Sequence, residues 1–240
     1  MTTPVPVASS IPSTPSAPVV SVAPITAASD LPGTVNAIID LSHWNTVTSF
    51  SAVRSGGITA VVHKATQGLQ YVDPTYVSRR TAAMAAGLWW GAYHFGTGDD
   101  PVAQAAHFLS TVQPDGKTLL VLDLERNSNG PSMNRLQAEA FVTTVQQKLG
   151  RWPMLYTGSW YLNEIMTSSQ QTPLSNCPLW IASYQTTPAL PAQWKSWTIW
   201  QYTDGQHGPQ PWTTPGVTNC DRDQFNGTPD DMATFWGVTV

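Results

Sequence analysis

Residues 117–126, KTLLVLDLER, place two carboxylates directly after a run of apolar side chains. Residues 118–122 are short, apolar and rich in β-formers, and they follow a Pro-Asp-Gly turn at residues 114–116. This pattern predicts a buried strand. Because side chains alternate along a strand, Asp123 and Glu125 should share a face, with Cα atoms about 6.6 Å apart. Both carboxyl groups could then address one substrate bond.

Two neighbouring carboxyl groups at a strand end have the chemistry that glycosidic bond cleavage requires. Like charges repel, and partial burial raises the pKa of the drier group, so one group can be protonated while its neighbour is ionised. Glycosidases use such an acid beside a carboxylate. The alternative is a solvated turn in which Arg126 pairs with one acid, and the D-x-E pattern alone favours that alternative.

Composition limits the classes of protein that fit the chain. Its 240 residues with 41% apolar content suit one large domain, and α/β barrels often have this length. Charged residues make up only 11%, whereas there are 11 tryptophans, a balance that favours aromatic contact surfaces such as those that stack on sugars. A net charge of −4 gives no basic stripe and argues against a nucleic-acid partner. No apolar run reaches the roughly 20 residues of a membrane span.

The sequence predicts neither a metal site nor a cofactor. Cys177 and Cys220 lack a CxxC spacing and cannot form a zinc site alone, so either one disulfide or two free thiols fits. No GxSxG, Walker or GxGxxG motif occurs. The histidines show no HExxH or other close ligand spacing: His43, His63, His94, His107 and His207.

The first 30 residues differ in composition from the rest. Residues 1–29 contain six prolines and neither a charged nor an aromatic side chain. They lack the basic start and unbroken apolar core of a secretory signal. We expect residues 1–30 to form a disordered linker or tail and residues 31–240 to form the catalytic barrel. The linker could join the barrel to another module or a surface, or it could be a plain terminal extension.

Strands and helices alternate from residue 31 onward. Eight strands are predicted, at residues 35–39, 58–62, 88–95, 118–122, 154–157, 179–184, 197–202 and 220–225. Five helices are predicted between them. Four should begin near Ser49, Asp73, Asp100 and Asn134, and a short one covers residues 160–166. Helical spacing predicts the buried face of three of these helices, formed by Tyr76, Val77 and Met84 in the second, by Val102, Ala105, Leu109 and Val112 in the third, and by Leu136, Ala140, Phe141, Val145 and Leu149 in the fourth.

This alternation predicts an α/β fold, a TIM-like barrel of eight strands and about five helices. The segments between the last three strands are rich in Pro and Gly, so we expect an irregular closure there. Active residues of such barrels lie at the carboxyl ends of the strands. Asp40 ends the first predicted strand, Asp123 and Glu125 end the fourth, and Asp221 lies in the last. Four carboxylates would then converge on one mouth.

Seven motifs in this chain occur in an order that resembles glycoside hydrolase family 25. They are IDLSHW (39–44), VVHKATQG (61–68), GAYHF (91–95), LDLE (122–125), PLWIASY (178–184), WQY (200–202) and DRDQFNG (221–227). These are the Chalaropsis-type lysozymes, N-acetylmuramidases of bacterial and phage origin. The resemblance spans residue 37 to about residue 225.

The resemblance implies a modified barrel of eight strands and five helices. It also implies hydrolysis, without metal or cofactor, of the β-1,4 bond from N-acetylmuramic acid to N-acetylglucosamine in peptidoglycan. By position, Glu125 would be the general acid, and Asp123 would orient the substrate's own acetamido group for attack on the anomeric carbon. Asp40 and Asp221 would position groups and hold the pKa values of the pair apart.

Two positions depart from the family pattern. Gln67 stands where KATEG-type relatives have Glu, which removes one charge from the cleft. Asp223 stands where many relatives carry Asn, so Asp221 is the better candidate within DRDQF.

Further residues near the strand ends are candidates for substrate binding. Tyr93, Tyr156, Tyr184 and Trp200 could stack on sugar faces or donate hydrogen bonds to the acetamido group. The alternative for them is barrel core with a polar tip. Lys64 could pair with a carboxylate or contact the muramyl peptide, and a purely structural ion pair is the alternative.

Two other functions stay open at this point. A lysozyme-like barrel could have lost catalysis and bind the cell wall, although this chain keeps all four carboxylates. A related glycosidase could cleave chitin-like polymers. We expect a monomer that acts at the cell wall outside the cell, as a phage lysin or a secreted autolysin.

Overall fold

A computed structural model of the protein describes residues 31–166 and 170–238. The predicted linker at residues 1–30 lies outside the described residues, so the predicted division into linker and barrel stays a prediction.

The described chain alternates strands and helices in its first two thirds. In order, its elements are β1 (Thr34–Leu41), α1 (Phe50–Ser55), β2 (Ala60–Gln67), β3 (Tyr71–Val72), α2 (Tyr76–Ala85), β4 (Trp89–Phe95), α3 (Pro101–Val112), β5 (Leu119–Asp123), α4 (Arg135–Leu149), β6 (Met154–Gly158), α5 (Ser159–Ile165), a 3-10 turn (Pro173–Asn176), β7 (Leu179–Ala182), β8 (Ile199–Thr203), β9 (Thr213–Thr214), β10 (Val217–Asn219), β11 (Asp221–Asn226) and α6 (Pro229–Phe235).

Eight of these strands close into a barrel. Their order is β1-β11-β8-β7-β6-β5-β4-β2, and the pairing of β1 with β2 completes the circle. Seven strands run parallel, whereas β11 is antiparallel to both β1 and β8. No helix separates β7, β8 and β11. The predicted α/β barrel, its eight strands and its irregular closure are therefore confirmed.

Three features of the fold were not predicted. Strand β3 extends the sheet beyond β2, and β9 pairs with β10 in a separate hairpin. A sixth helix, α6, follows the last barrel strand, and a capping box between Thr228 and Asp231 fixes its start. Trp236 packs among apolar side chains at the amino-terminal ends of the strands, and its indole N–H donates to the Trp90 carbonyl over 3.2 Å. Helix α6 thus covers one end of the barrel and leaves the carboxyl end open.

Most helix starts follow the predicted caps, with one correction. Ser49, Asp100 and Asn134 each accept a backbone N–H of the first turn, as predicted. Helix α2, however, begins at Tyr76 after Thr75, not at Asp73. The Asp73 carboxylate instead accepts hydrogen bonds from Thr75 and from the backbone N–H of His43. These bonds connect the turn before α2 to the loop that follows β1.

The predicted buried faces of the helices were wrong at several positions. The exposed fractions are 68% for Val77, 50% for Met84, 52% for Val102 and 65% for Leu136. Other predicted positions are buried as expected: Tyr76, Ala105, Val112, Phe141 and Val145. Ala83, Phe108 and Ala138, which were not predicted, complete the contact with the barrel. Apolar spacing therefore identifies the buried face of each helix only in part.

Both cysteines are free and buried, so the disulfide alternative is not realised. Burial raises the pKa of Cys177 and that of Cys220 to about 12. Within the described residues, no helix has the length and apolar character needed to cross a membrane.

Candidate active site

The open, carboxyl end of the barrel holds a small polar pocket of about 100 Å³. Seven side chains from six strands line it: Asp40, Tyr93, Asp123, Glu125, Tyr156, Trp180 and Asp221. All four predicted catalytic carboxylates and two of the predicted binding residues are thus brought together. The inward direction of Asp40, Asp123 and Tyr156 follows from strand alternation, since Ile38, Val121 and Met154, each two residues before one of them, belong to the barrel core.

Asp123 is the last residue of β5, and its backbone is held from both sides. Its carbonyl accepts from the Gly96 N–H over 2.9 Å, and the next amide, of Leu124, donates to Tyr156 over 2.9 Å. Asp123 is 6% exposed, and its Oδ1 is buried with no hydrogen-bond partner. A buried acceptor without a donor costs free energy, so this oxygen is available to a donor on a bound ligand.

Asp123 and Glu125 both bind protons more tightly than isolated carboxyls do. Burial raises the pKa of each, and the charge of Glu125 raises that of Asp123 further. The positive charge of Lys64 acts in the opposite direction on both. The pair therefore retains a proton to higher pH than isolated carboxyls do, which is what an acid and carboxylate pair requires.

A second group of carboxyls lies where β1 meets β11. Burial and then the neighbouring Asp223 raise the pKa of Asp40 well above its usual range. Burial and Asp40 raise the pKa of Asp221 to about 9. Asp223 is fully buried, its Oδ1 accepts from the Trp180 indole over 2.8 Å, and burial raises its pKa strongly. Asp223 thus lies outside the pocket lining and holds Trp180, which is part of it.

Gln201 is a residue that sequence analysis missed. It points inward from β8, is 1% exposed, and donates from Nε2 to Asp40 Oδ2 over 2.8 Å. Its Oε1 accepts from the hydroxyls of Tyr156 and Tyr184, both over 2.9 Å. Alternation puts Gln201 on the same face as Ile199, which belongs to the barrel core, but the sequence alone does not show that this face points inward.

The predicted aromatic residues divide between the pocket and its surroundings. Tyr93 and Tyr156 line the pocket, and Tyr184 lies at its rim with 38% of its surface exposed. Trp200 does not reach the pocket. It is 1% exposed, packs outside the barrel with Leu179 and Ile181, and donates to the Ser183 carbonyl over 2.7 Å.

Trp180 is a second residue that sequence analysis missed, and it lines the pocket. It lies on β7 facing inward, and its ring meets Tyr156 edge to face with 5.0 Å between ring centres. It was overlooked because both faces of a barrel strand are buried and apolar, so composition does not separate them.

Lys64 lies on β2 beside the pocket but outside its lining. Its Nζ donates to Gln67 Oε1 over 2.7 Å and lies 5.0 Å from the centre of the Phe95 ring. Burial lowers its pKa, whereas the charges of Asp123 and Glu125 raise it. Gln67 thus holds the ammonium group, and Lys64 affects the acid pair by charge at a distance.

The pocket has the parts of a glycoside hydrolase site: a buried acid pair at the mouth of an α/β barrel, further carboxyls and aromatic walls. In the described residues, no group of three or more His, Cys, Asp or Glu is arranged to hold a metal ion.

Comparison with known proteins identifies the family. Residues 39–210 match the family described as Glycosyl hydrolases family 25. The chain belongs to this family and is a glycoside hydrolase.

Relatives and solved structures agree with this assignment. The chain is 32% identical over 207 residues to Lysozyme M1 of Streptomyces globisporus, which covers 79% of this chain and 67% of the relative. It is 32% identical over 184 residues to the N,O-diacetylmuramidase of a Chalaropsis species, covering 69% and 86%. The bacterial lysozyme of Streptomyces coelicolor superposes with a TM-score of 0.75 at 29% identity, over 85% of this chain and 98% of that one.

Proposed function

We propose that the enzyme hydrolyses the β-1,4 bond from N-acetylmuramic acid to N-acetylglucosamine in bacterial peptidoglycan. Glu125 is the general acid, and Asp123 assists the substrate's acetamido group. The observation that supports these roles most strongly is the unpartnered, buried Oδ1 of Asp123 beside Glu125 in one pocket. An acetamido N–H is a donor of the kind this oxygen lacks.

The reaction follows from the chemistry of these groups. Glu125 gives its proton to the glycosidic oxygen, and the bond from that oxygen to the anomeric carbon breaks. The acetamido carbonyl oxygen forms a bond to that carbon, and Asp123 accepts the amide N–H, which becomes more acidic as positive charge develops. Water then attacks the anomeric carbon, the oxygen of the acetamido group leaves, and Glu125 takes the proton of the water.

The remaining carboxyls act on the pair electrostatically. Asp40 and Asp221 line the opposite side of the pocket and share one hydrogen bond with each other. The charge of Asp123 raises the pKa of Asp40, and that of Glu125 raises the pKa of Asp221, so ionisation of the acid pair disfavours ionisation of the second pair.

The relatives support the substrate and the place of action. They carry the names lysozyme, N,O-diacetylmuramidase and autolytic lysozyme. We propose that this enzyme likewise acts on the cell wall outside the cytoplasm, as a monomer, and that the linker of residues 1–30 connects the barrel to a wall-binding domain or remains a plain tail.

The sugar at each new chain end tests the bond that is cut. The enzyme is incubated with purified peptidoglycan and, in parallel, with chitin, and the new reducing ends are reduced and identified. Muramic acid ends from peptidoglycan alone support the proposal. Glucosamine ends, or cleavage of chitin at a comparable rate, would favour the chitin-type glycosidase. Binding to the wall without any cleavage would favour a barrel that only binds.

The role of Asp123 has its own test. Peptidoglycan from which the N-acetyl groups have been removed should resist the enzyme, because the attacking oxygen is missing. Asp123→Ala should lower kcat on intact peptidoglycan by about a hundredfold. Full activity on the de-N-acetylated polymer would rule out acetamido assistance, while leaving Glu125 as a possible acid.

A further inference from the structure

Gln201 connects three functional side chains that come from three different strands. Its amide nitrogen contacts Asp40 on β1, and its amide oxygen contacts the hydroxyls of Tyr156 on β6 and Tyr184 after β7. At 1% exposure it has no water to replace these partners. A buried amide whose nitrogen and oxygen both have hydrogen-bond partners is held in one orientation.

The direction of each hydrogen bond follows from the groups involved. An amide nitrogen only donates and an amide oxygen only accepts. Asp40 also accepts from the carboxyl of Asp221, so both of its neighbours direct protons toward it. With the amide nitrogen facing Asp40, the amide oxygen must face the phenols, and Tyr156 and Tyr184 must both donate to it.

This polarity decides what the two tyrosines can offer to a ligand. A phenol has one proton, and Gln201 uses the proton of each tyrosine. What remains toward the pocket is a phenolic oxygen that accepts. From the sequence, these tyrosines could stack on sugar faces or donate hydrogen bonds to the acetamido group. The geometry instead makes them acceptors for an N–H or O–H.

We infer that Gln201 is a positioning residue that holds Tyr156 and Tyr184 as hydrogen-bond acceptors for the N–H and O–H groups of an N-acetylated amino sugar, and holds Asp40 as an acceptor beside them. The inference rests on the proposed function for the identity of the sugar, but the polarity of the network does not depend on it.

Asp40 titrates among several other ionisable groups, and any pH test must allow for them. Those that interact with it or share the pocket with it are Asp221 and Asp223 on β11, Cys220 just before β11, Asp123 and Glu125 at and after the end of β5, Tyr93 on β4, Tyr156 on β6 and Tyr184 after β7.

The first test needs no substrate. Carboxyl carbon NMR follows the titration of Asp40, assigned by its loss in Asp40→Asn, in the parent protein, in Gln201→Met and in Gln206→Met. Gln206 is an exposed residue in the loop after the same strand and is the matched control. The midpoint should rise by about one pH unit in Gln201→Met, because the N–H donor to Asp40 is lost, and stay unchanged in Gln206→Met. An unchanged midpoint in both variants would overturn the inference.

The second test separates positioning from simple packing. On solubilised peptidoglycan fragments, Gln201→Met should raise KM about tenfold, and Tyr184→Phe should cost much less in the Gln201→Met background than in the parent protein. Thermal unfolding at the assay pH checks that each variant is folded. If the two substitutions have additive effects on KM and the titration midpoint of Asp40 is unchanged, Gln201 contributes packing alone, and the inference is overturned.

The two tests also separate this inference from the proposed function. If Asp40 shifts in Gln201→Met but the parent protein releases no muramic acid ends, the polarity of the network stands and the proposed substrate fails. If the parent protein releases muramic acid ends but the titration midpoint of Asp40 is unchanged in Gln201→Met, the proposed substrate stands and the inference about Gln201 fails.

Discussion

Asp40 and Asp221 are directly paired residues of the antiparallel ladder between β1 and β11, and their carboxyl groups form a hydrogen bond with each other. Two like charges at directly opposite positions destabilise a ladder. A hydrogen bond between two carboxyls requires a proton on one of them, and the pKa of about 9 for Asp221 provides it at neutral pH. The barrel therefore closes on a pair of acids that share a proton.

Asp221→Asn should stabilise the protein at alkaline pH. The folded pKa of Asp221 is raised above the unfolded value of 3.8, so the folded state retains a proton that the unfolded state releases. The free energy of unfolding consequently falls as pH rises from about 4 toward 9. Removal of the acid should add about 1 kcal/mol or more at pH 8 and almost nothing at pH 4, as measured by urea unfolding.

Asp231→Asn is the control of opposite sign. A hydrogen bond from the Thr228 side chain lowers the pKa of Asp231, so its contribution is present above the unfolded pKa and lost as pH falls. This variant should lose stability at pH 8. A loss of stability at pH 8 in Asp221→Asn as well would contradict a shared proton between Asp40 and Asp221.

Lys64→Met should move the alkaline limb of the activity profile to higher pH. The ammonium charge lowers the pKa of Glu125, so its removal lets Glu125 keep its proton to higher pH. The midpoint of the alkaline limb of the kcat/KM profile should rise by about half a pH unit to one pH unit. Lys195→Met, which changes a lysine away from the pocket lining, is the control. A shift toward lower pH would mean that Lys64 does not act on the acid.

Trp180→Phe and Trp200→Phe form a matched pair on neighbouring strands. Trp180 lines the pocket and donates to Asp223, so its substitution should lower kcat/KM about tenfold. Trp200 lies outside the barrel and donates to Ser183, so its substitution should cost about 1–2 kcal/mol of stability with kcat/KM nearly unchanged. Steady-state kinetics and urea unfolding are measured for both variants. A tenfold loss of kcat/KM in Trp200→Phe, with kcat/KM unchanged in Trp180→Phe, would place Trp200 and not Trp180 in the site.

Alternation along one strand was sufficient to predict that Asp123 and Glu125 face the same pocket. The same rule could not choose between Gln201 and Trp200, because a barrel strand is buried on both faces and tryptophan suits either. Which face is inward depends on the closure of the sheet, and that is set by pairings such as Asp40 with Asp221 across 181 positions of sequence.

Helix positions show a similar limit. Apolar spacing located α2, α3 and α4, and Asn134 marked the start of α4. The spacing identified the buried faces only in part: Phe141 and Val145 are buried as predicted, but Val77 and Leu136 are exposed. The smaller Ala83 and Ala138 contact the barrel instead. Close packing of helix on sheet selects small side chains, and this selection is not visible in hydrophobicity alone.

Both cysteines should react as free thiols. In denaturant without reductant, a thiol reagent should titrate two groups per chain, and in the native protein the reaction should be slow because both thiols are buried with pKa values near 12. Detection of thiols only after reduction would show that Cys177 and Cys220 form a disulfide.

The general-acid role of Glu125 is the central claim, and the rate at which reducing ends appear from purified peptidoglycan tests it most directly. Glu125→Gln is compared at the pH optimum with Glu139→Gln, which changes a glutamate on α4 that pairs with Arg135. Glu125→Gln should lose roughly a hundredfold or more in kcat and remain folded, whereas Glu139→Gln should keep parent activity. Parent-like turnover in Glu125→Gln would contradict the account.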